Sequence, residues 1–182
     1  MGLTEVTVWH LHQLNRSALR PAPDPRDDAT LVRAEIPLPE LNRFLYTAVG
    51  GDWWWTSRLD WTYGQWMAWL DRPEVETHVA SVAGTPVGYG ELERQPGGDV
   101  EIVYFGLVPR VIGRGLGGWL LTRVIERAWE LPGTNRVWVH TCSLDGPNAR
   151  ANYVARGMEL FDTTTEWVDI TGGPPGPWPG AR

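Results

Sequence analysis

The stretch VEIVYFGLVPRVIGRGLGG, residues 100–118, decides how the rest of the chain is read. Its first nine residues, 100–108, are rich in β-branched and aromatic side chains and read as the longest strand. Its second half, Arg110-Val111-Ile112-Gly113-Arg114-Gly115-Leu116-Gly117-Gly118, places four glycines within six positions, just before a helical pattern begins. Without a Cβ, glycine lets backbone N–H groups turn toward an anion. A helix N-terminus adds unpaired N–H donors and a partial positive charge. The combination makes a phosphate site, to which Arg110 and Arg114 can add charge-assisted contacts. A tight strand-to-helix turn without a ligand does not need so many glycines.

The type of phosphate ligand can be narrowed. Gly113-x-Gly115-x-x-Gly118 formally matches a dinucleotide-binding fingerprint. In that fingerprint the first glycine follows its strand directly, whereas here residues 109–112 intervene. The fingerprint also wants an acid at the end of the next strand, where this chain carries Val139-His140-Thr141. A Walker loop is excluded, because no Gly-Lys-Ser/Thr follows.

Downstream of the loop, residues 116–130 form the clearest helix. Their apolar stripe runs through Leu116, Leu120, Leu121, Val124, Ile125 and Ala128, and Pro132-Gly133 stops it. A strand is predicted over 136–144, a helix over 147–155 ended by Gly157, and a last strand or bent hairpin arm over 158–170. Upstream, strands are expected over 77–84 and 87–94, joined at Gly84-Thr85-Pro86. Further back come a strand over 5–14, a proline-rich charged linker over 20–28 and a short strand over 31–36. A helix over 39–49, a tryptophan-rich loop over 52–61 and a short helix over 62–70 complete the pattern. The fold class is α/β (α+β), with a mixed, mostly antiparallel central sheet flanked by helices. One domain over 1–171 is expected, with a Gly/Pro-rich, frayed tail over 172–182.

Composition sets the outer bounds. With 42% hydrophobic and 21% charged residues the chain can bury a core and stay soluble. No apolar run reaches the ~20 residues that cross a bilayer, and the first residues carry no signal pattern, so a cytoplasmic protein without a membrane partner is expected. The single cysteine, Cys142, rules out an intrachain disulfide, and with four scattered histidines no metal site is expected. A net charge of -6 disfavours nucleic acid as a partner but suits a small cationic substrate.

Arg110-x-x-Gly113-x-Gly115 resembles the acetyl-coenzyme A signature of the GNAT acetyltransferases. Asn148, followed by Tyr153-x-x-x-Gly157-Met158, resembles that family's second motif, with Met in place of the usual Phe. The two occur in the family's order, and the resemblance covers residues 77–170. It implies an acyl-CoA N-acyltransferase fold in which the long strand carries a bulge and splays from strand 136–144. Pantetheine would enter that gap beside Phe105, Leu107 and Val108. The pyrophosphate would rest on Gly113, Arg114, Gly115, Leu116, Gly117 and Gly118, flanked by Arg110, with Asn148 also on the cofactor side. Acetyl-CoA is then the co-substrate and an amine the acceptor, in an N-acetyltransferase working by direct attack.

That reaction needs a neutral amine, an oxyanion donor and a proton for the leaving thiolate. Glu101, on the strand that reaches the acetyl group, is the candidate base, as the family resemblance implies for an acid at this place. A carboxylate in a partly apolar cleft can have its pKa raised toward neutrality. Glu91 and Glu93 on the preceding strand are rivals, and a water relay is a further one. Tyr153 is the candidate acid for the thiolate. His140 and Cys142 alternate on one strand and so share a face. A His two residues away on a strand lacks the geometry to activate a Cys nucleophile, which leaves His140 as a cleft-lining candidate.

Twelve tryptophans are present, six of them between Trp53 and Trp69. They can be a bulky core or an aromatic wall for a ligand, and the residues leave both readings open. The wall reading puts Trp53, Trp54 and Trp55 at the acceptor, with Glu91, and lets Asp52 or Asp60 pair with an ammonium. The expected acceptor is a small primary amine. Rival readings are transfer of another acyl or aminoacyl group on the same fold, and a non-catalytic CoA-binding sensor. Exposed tryptophans would also suit a homodimer interface.

Overall fold

Strands and helices follow one another along the chain in the order the patterning predicts. The computed structural model describes residues 2–25 and 28–181; residues 26 and 27 of the predicted linker lie outside the described residues. The strands are β1 (Leu3–Gln13), β2 (Ala29–Ala34), β3 (Val75–Val82), β4 (Thr85–Arg94), β5 (Asp99–Leu107), β6 (Arg136–Cys142) and β7 (Glu159–Asp169). The α-helices are α1 (Pro39–Gly50), α2 (Tyr63–Leu70), α3 (Leu116–Glu130) and α4 (Ala149–Ala155). Pro39 opens α1, where a missing N–H costs nothing. Thr62 and Gln65 form a reciprocal capping box at the start of α2. The predicted stripe of α3 is buried along its whole length and packs on β4, β5 and β6. Among the described residues no helix is long and apolar enough to cross a membrane.

The sheet runs β2-β3-β4-β5-β6-β1-β7. Neighbours are antiparallel except β5 and β6, which are parallel and joined by the crossover through α3. The expected mixed, mostly antiparallel sheet with flanking helices is therefore observed. What local patterning does not reveal is the place of β1. The first strand inserts between β6 and β7, with Val8 opposite both Cys142 and Thr164. Its apolar residues Val6, Val8 and Leu11 are buried there. The last strand is one continuous arm paired with β1, bulged where His10–Leu11 meets Leu160–Asp162.

Two features of the long strand position the site. The parallel ladder between β5 and β6 spans only Asp99–Glu101 against Arg136–Trp138. Beyond it the partners separate, while β5 stays paired to β4. The β4–β5 register shifts between Glu91–Tyr104 and Leu92–Ile102, leaving Val103 as the extra residue of a bulge. Both the bulge and the splay match the expectation from the resemblance.

The tail departs from expectation. Instead of fraying, it folds back so that the Gly176 N–H donates to the Gly51 carbonyl at 2.8 Å. Two glycines make this approach feasible, since a Cβ on Gly51 would lie 2.4 Å from the Gly176 carbonyl carbon.

Candidate active site

Where β5 and β6 separate, a cleft of about 950 Å³ opens. That is the upper end of what small-molecule and cofactor sites occupy. One end is the glycine loop. Gly113 and Gly115 have φ of 91° and 80°, the left-handed region that a side chain would strain. A Cβ added to either would meet nothing within 4 Å, so their small size serves the backbone turn and not packing. Gly115 is the N-cap of α3 and offers no side-chain cap, which leaves the first N–H groups of the helix to an outside acceptor. Gly113, Gly115, Gly117 and Gly118 all line the cleft, as do Phe105 and Leu107 on β5 and Asn148 at the start of α4. A cradle of this kind fits a pyrophosphate.

Four expected cofactor residues do not line the cleft. Leu116 is buried in the core, and any role for it falls to its backbone N–H. The Val108 N–H is already donated to the Val87 carbonyl at 2.8 Å. Arg110 and Arg114 flank the loop outside the lining. Asn152, which sequence reasoning passed over, ties α4 to the loop by donating to the Gly117 carbonyl at 3.1 Å.

The opposite end of the cleft is a floor built from three strands. It carries Val8 and His10 of β1, His140 and Cys142 of β6, and Thr164 and Glu166 of β7. Register places these on one face: His10 lies opposite His140, and Val6 opposite Glu166. Glu101, on the neighbouring strand β5, lies beside this floor and outside the cleft lining, with only 11% of its side chain exposed. Its Oε1 meets His140 Nδ1 at 3.2 Å, and its Oε2 accepts from Gln95 Nε2 at 2.8 Å. Gln95 is fixed in turn by the Trp138 indole, at 3.0 Å. The expected base thus reaches the cleft only through His140, whose side chain is about half exposed. The hydrogen bond to Glu101 raises the His140 pKa above its ordinary 6.5; burial opposes this, and the charges of Glu101, Asp145 and Glu166 reinforce it.

Tyr153 lines the middle of the cleft, its ring edge-on to Phe105 at 6.0 Å. Burial, with a smaller contribution from Asp145, pushes its hydroxyl well above the ordinary phenol range. It therefore stays protonated at neutral pH. Burial first, and then Asp145, also raise the Cys142 thiol pKa, so this residue is a neutral thiol and no nucleophile.

The tryptophans divide. Trp53, Trp54 and Trp55 form a wall of the cleft together with Ser57 and Tyr104. Ser57 Oγ joins the Tyr104 and Tyr46 hydroxyls, at 2.8 and 3.3 Å. Trp61, Trp66 and Trp69 instead surround Arg58, whose guanidinium stands 4.5 Å from the ring centres of Trp61, Trp69 and Tyr104 and 5.6 Å from that of Trp66. Inside this box Arg58 pairs with Glu91 at 2.8 Å. Glu91 is not at the acceptor side of the cleft. Burial raises its carboxyl pKa, while Arg58, the Trp69 indole and Asn42 act against that rise. Asp52 and Asp60 likewise lie outside the lining.

A splayed parallel pair around a cleft, with a glycine-rich helix start at one end, is the architecture of an acyl-CoA N-acyltransferase. The sequence profile of the acetyltransferase (GNAT) family matches residues 38–158, and the chain belongs to that family. No curated protein matches it in sequence. Among solved structures, a GCN5-related N-acetyltransferase from Kribbella flavida is similar in fold, with TM-score 0.66, 20% identity, and 94% of this chain against 61% of its own. Another from Sphaerobacter thermophilus gives TM-score 0.62, 20% identity and 94% against 54%. An aminoglycoside acetyltransferase from an uncultured soil metagenomic sample gives TM-score 0.56, 16% identity and 70% against 87%. The chain thus spans only 54–61% of the length of the first two.

Proposed function

We propose that this chain transfers the acetyl group of acetyl-CoA to a primary amine of a small molecule. The observation that carries the reading is the continuity of one cleft, from a phosphate cradle at the start of α3 to a polar floor on β6, β1 and β7. The diphosphate end of the coenzyme has N–H donors at Gly113–Gly118, and the pantetheine has the unpaired edges of β5 and β6. The thioester carbonyl would find its oxyanion donor among the β5 N–H groups around the Val103 bulge, near Phe105. Tyr153 supplies a proton to the departing thiolate. The amine approaches between the Trp53–Trp55 wall and the floor, where the Glu166 carboxylate can hold an ammonium. Its proton leaves at the Glu101 end of the floor.

The test follows thiol release from acetyl-CoA with purified protein and a panel of primary amines, aromatic amines, amino acids and aminoglycosides. All sixteen basic residues of the chain are arginine, so no lysine of its own consumes the donor. Release that depends on one amine class supports the reading. No release, with acetyl-CoA still raising the melting temperature, favours a binding module. No release and no thermal shift removes acetyl-CoA from the glycine loop. Replacing acetyl by longer acyl groups separates the acetyltransferase from a transferase of other acyl chains.

A further inference from the structure

We infer that His140 Nε2 is the atom that takes the proton from the attacking amine, and that Glu101 is a positioning residue acting through it. This rests on the acetyl-transfer reading above. Three observations place the roles. The Glu101 carboxylate is covered, and each of its oxygens already has a partner, His140 on one side and Gln95 on the other. Gln95 is anchored twice more, by the Trp138 indole and by its own N–H on the Asp99 carbonyl at 2.8 Å, so the carboxylate is held in place. His140 lines the cleft two residues beyond Trp138, the last position of β6 paired with β5, where the two strands begin to part.

A carboxylate at Nδ1 fixes the proton on that nitrogen and leaves the lone pair of a neutral imidazole on Nε2. The carboxylate also stabilises the imidazolium once it forms. In the step, the amine nitrogen bonds to the thioester carbon, and its N–H proton goes to Nε2. The C–S bond then breaks, with its electron pair on sulfur, which takes the Tyr153 proton. The imidazolium gives up its proton to solvent and the tyrosinate regains one there. The sum is amine plus acetyl-CoA giving amide plus CoA thiol.

The charged and titratable groups facing His140 are Glu101 from β5, His10 from β1 at a ring separation of 6.2 Å, Asp145 from the loop after β6, and Glu166 from β7. Glu101, Asp145 and Glu166 all favour the imidazolium. Below the raised pKa His140 is protonated and cannot accept, so kcat/KM must rise with pH along a limb set above the ordinary 6.5.

The experiment is the pH profile of kcat/KM for the wild type, Glu101→Gln and His140→Gln, with two accepted amines of different basicity. A limb that belongs to the amine moves with the amine, whereas the His140 limb does not. Imidazole NMR titration of the wild type and Glu101→Gln reports the same pKa without turnover. We expect Glu101→Gln to move both limb and NMR pKa downward. His140→Gln should lower kcat by about 10²-fold or more and abolish the limb, with the acetyl-CoA thermal shift retained. Wild-type kcat and limb in His140→Gln would overturn the assignment, and so would an unmoved limb and NMR pKa in Glu101→Gln. A wild type that acetylates no amine would sink the transfer reading and the proton acceptor with it.

Discussion

Trp53–Trp55 and the group Trp61, Trp66 and Trp69 lie within one short stretch, yet the fold uses them in opposite ways. The later three close around a cation the protein supplies itself, Arg58, which is 4% exposed and paired with Glu91. The earlier three border a cleft. An aromatic surface close to a buried guanidinium is satisfied and forms a wedge of core between α1, α2 and β5. One without an internal cation keeps a face for a ligand. The count of tryptophans could not separate these cases, whereas the location of Arg58 does.

The largest expected effect lies on the Arg58 side. Arg58→Met leaves Glu91 buried with only the Trp69 indole and Asn42. Stripping one partner from a buried pair costs about 3–5 kcal/mol, which denaturant unfolding will read. Arg58→Met combined with Glu91→Leu should recover most of the loss, because two apolar groups leave no stranded charge. If Arg58→Met were as stable as the wild type, the box would be held by packing alone and the contrast between the groups would collapse.

A smaller effect tests the seam between them. Trp55 belongs to the cleft wall but also packs on Tyr46, Tyr89 and Tyr104. It lies so close to α1 that a Cβ on Gly50 would stand 2.1 Å from its ring. Gly50→Ala should therefore cost about 1–3 kcal/mol through overpacking. It should also raise the acceptor KM as the indole is displaced. A stability loss with unchanged KM would assign Trp55 to the core alone.

The same contrast between local and distant determinants runs through the whole site. Helix α3 and the glycine loop were legible because their determinants lie within one turn or one stripe, and Gly113 and Gly115 need only their own φ. Tyr153 was legible through a short motif. The place of Glu101 on the long strand is legible, but its cover by His140 is not, because that depends on Gln95 six residues away and on the neighbouring strand β6. The floor of the cleft is invisible for a stronger reason: it joins Val8 to Cys142 and Thr164, and nothing in the local pattern of residues 5–14 says which strand they pair with. Glu91 alternates on its strand as a cleft residue would, and only the long-range approach of Arg58 turns it into a core ion pair. The tail was misread because a Gly/Pro-rich composition describes its freedom and not the glycine it docks on.

The finest test of the wall concerns Trp54, whose φ is 62°. The left-handed region costs a residue with a Cβ about 1–2 kcal/mol, and strain of this kind persists where the surroundings impose it. Trp54→Ala keeps the strain and loses the ring, whereas Trp54→Gly loses both. The glycine variant should therefore be the more stable of the two, by about 1 kcal/mol after allowing for the extra freedom of its unfolded chain. Both should raise the acceptor KM to the same extent, since neither retains the indole. Melting temperatures and KM values for the pair read the two effects separately. If the acceptor KM were unchanged in both, the aromatic wall would have no part in holding the amine. The strained backbone at Trp54 would then have to be explained by the shape of the loop alone.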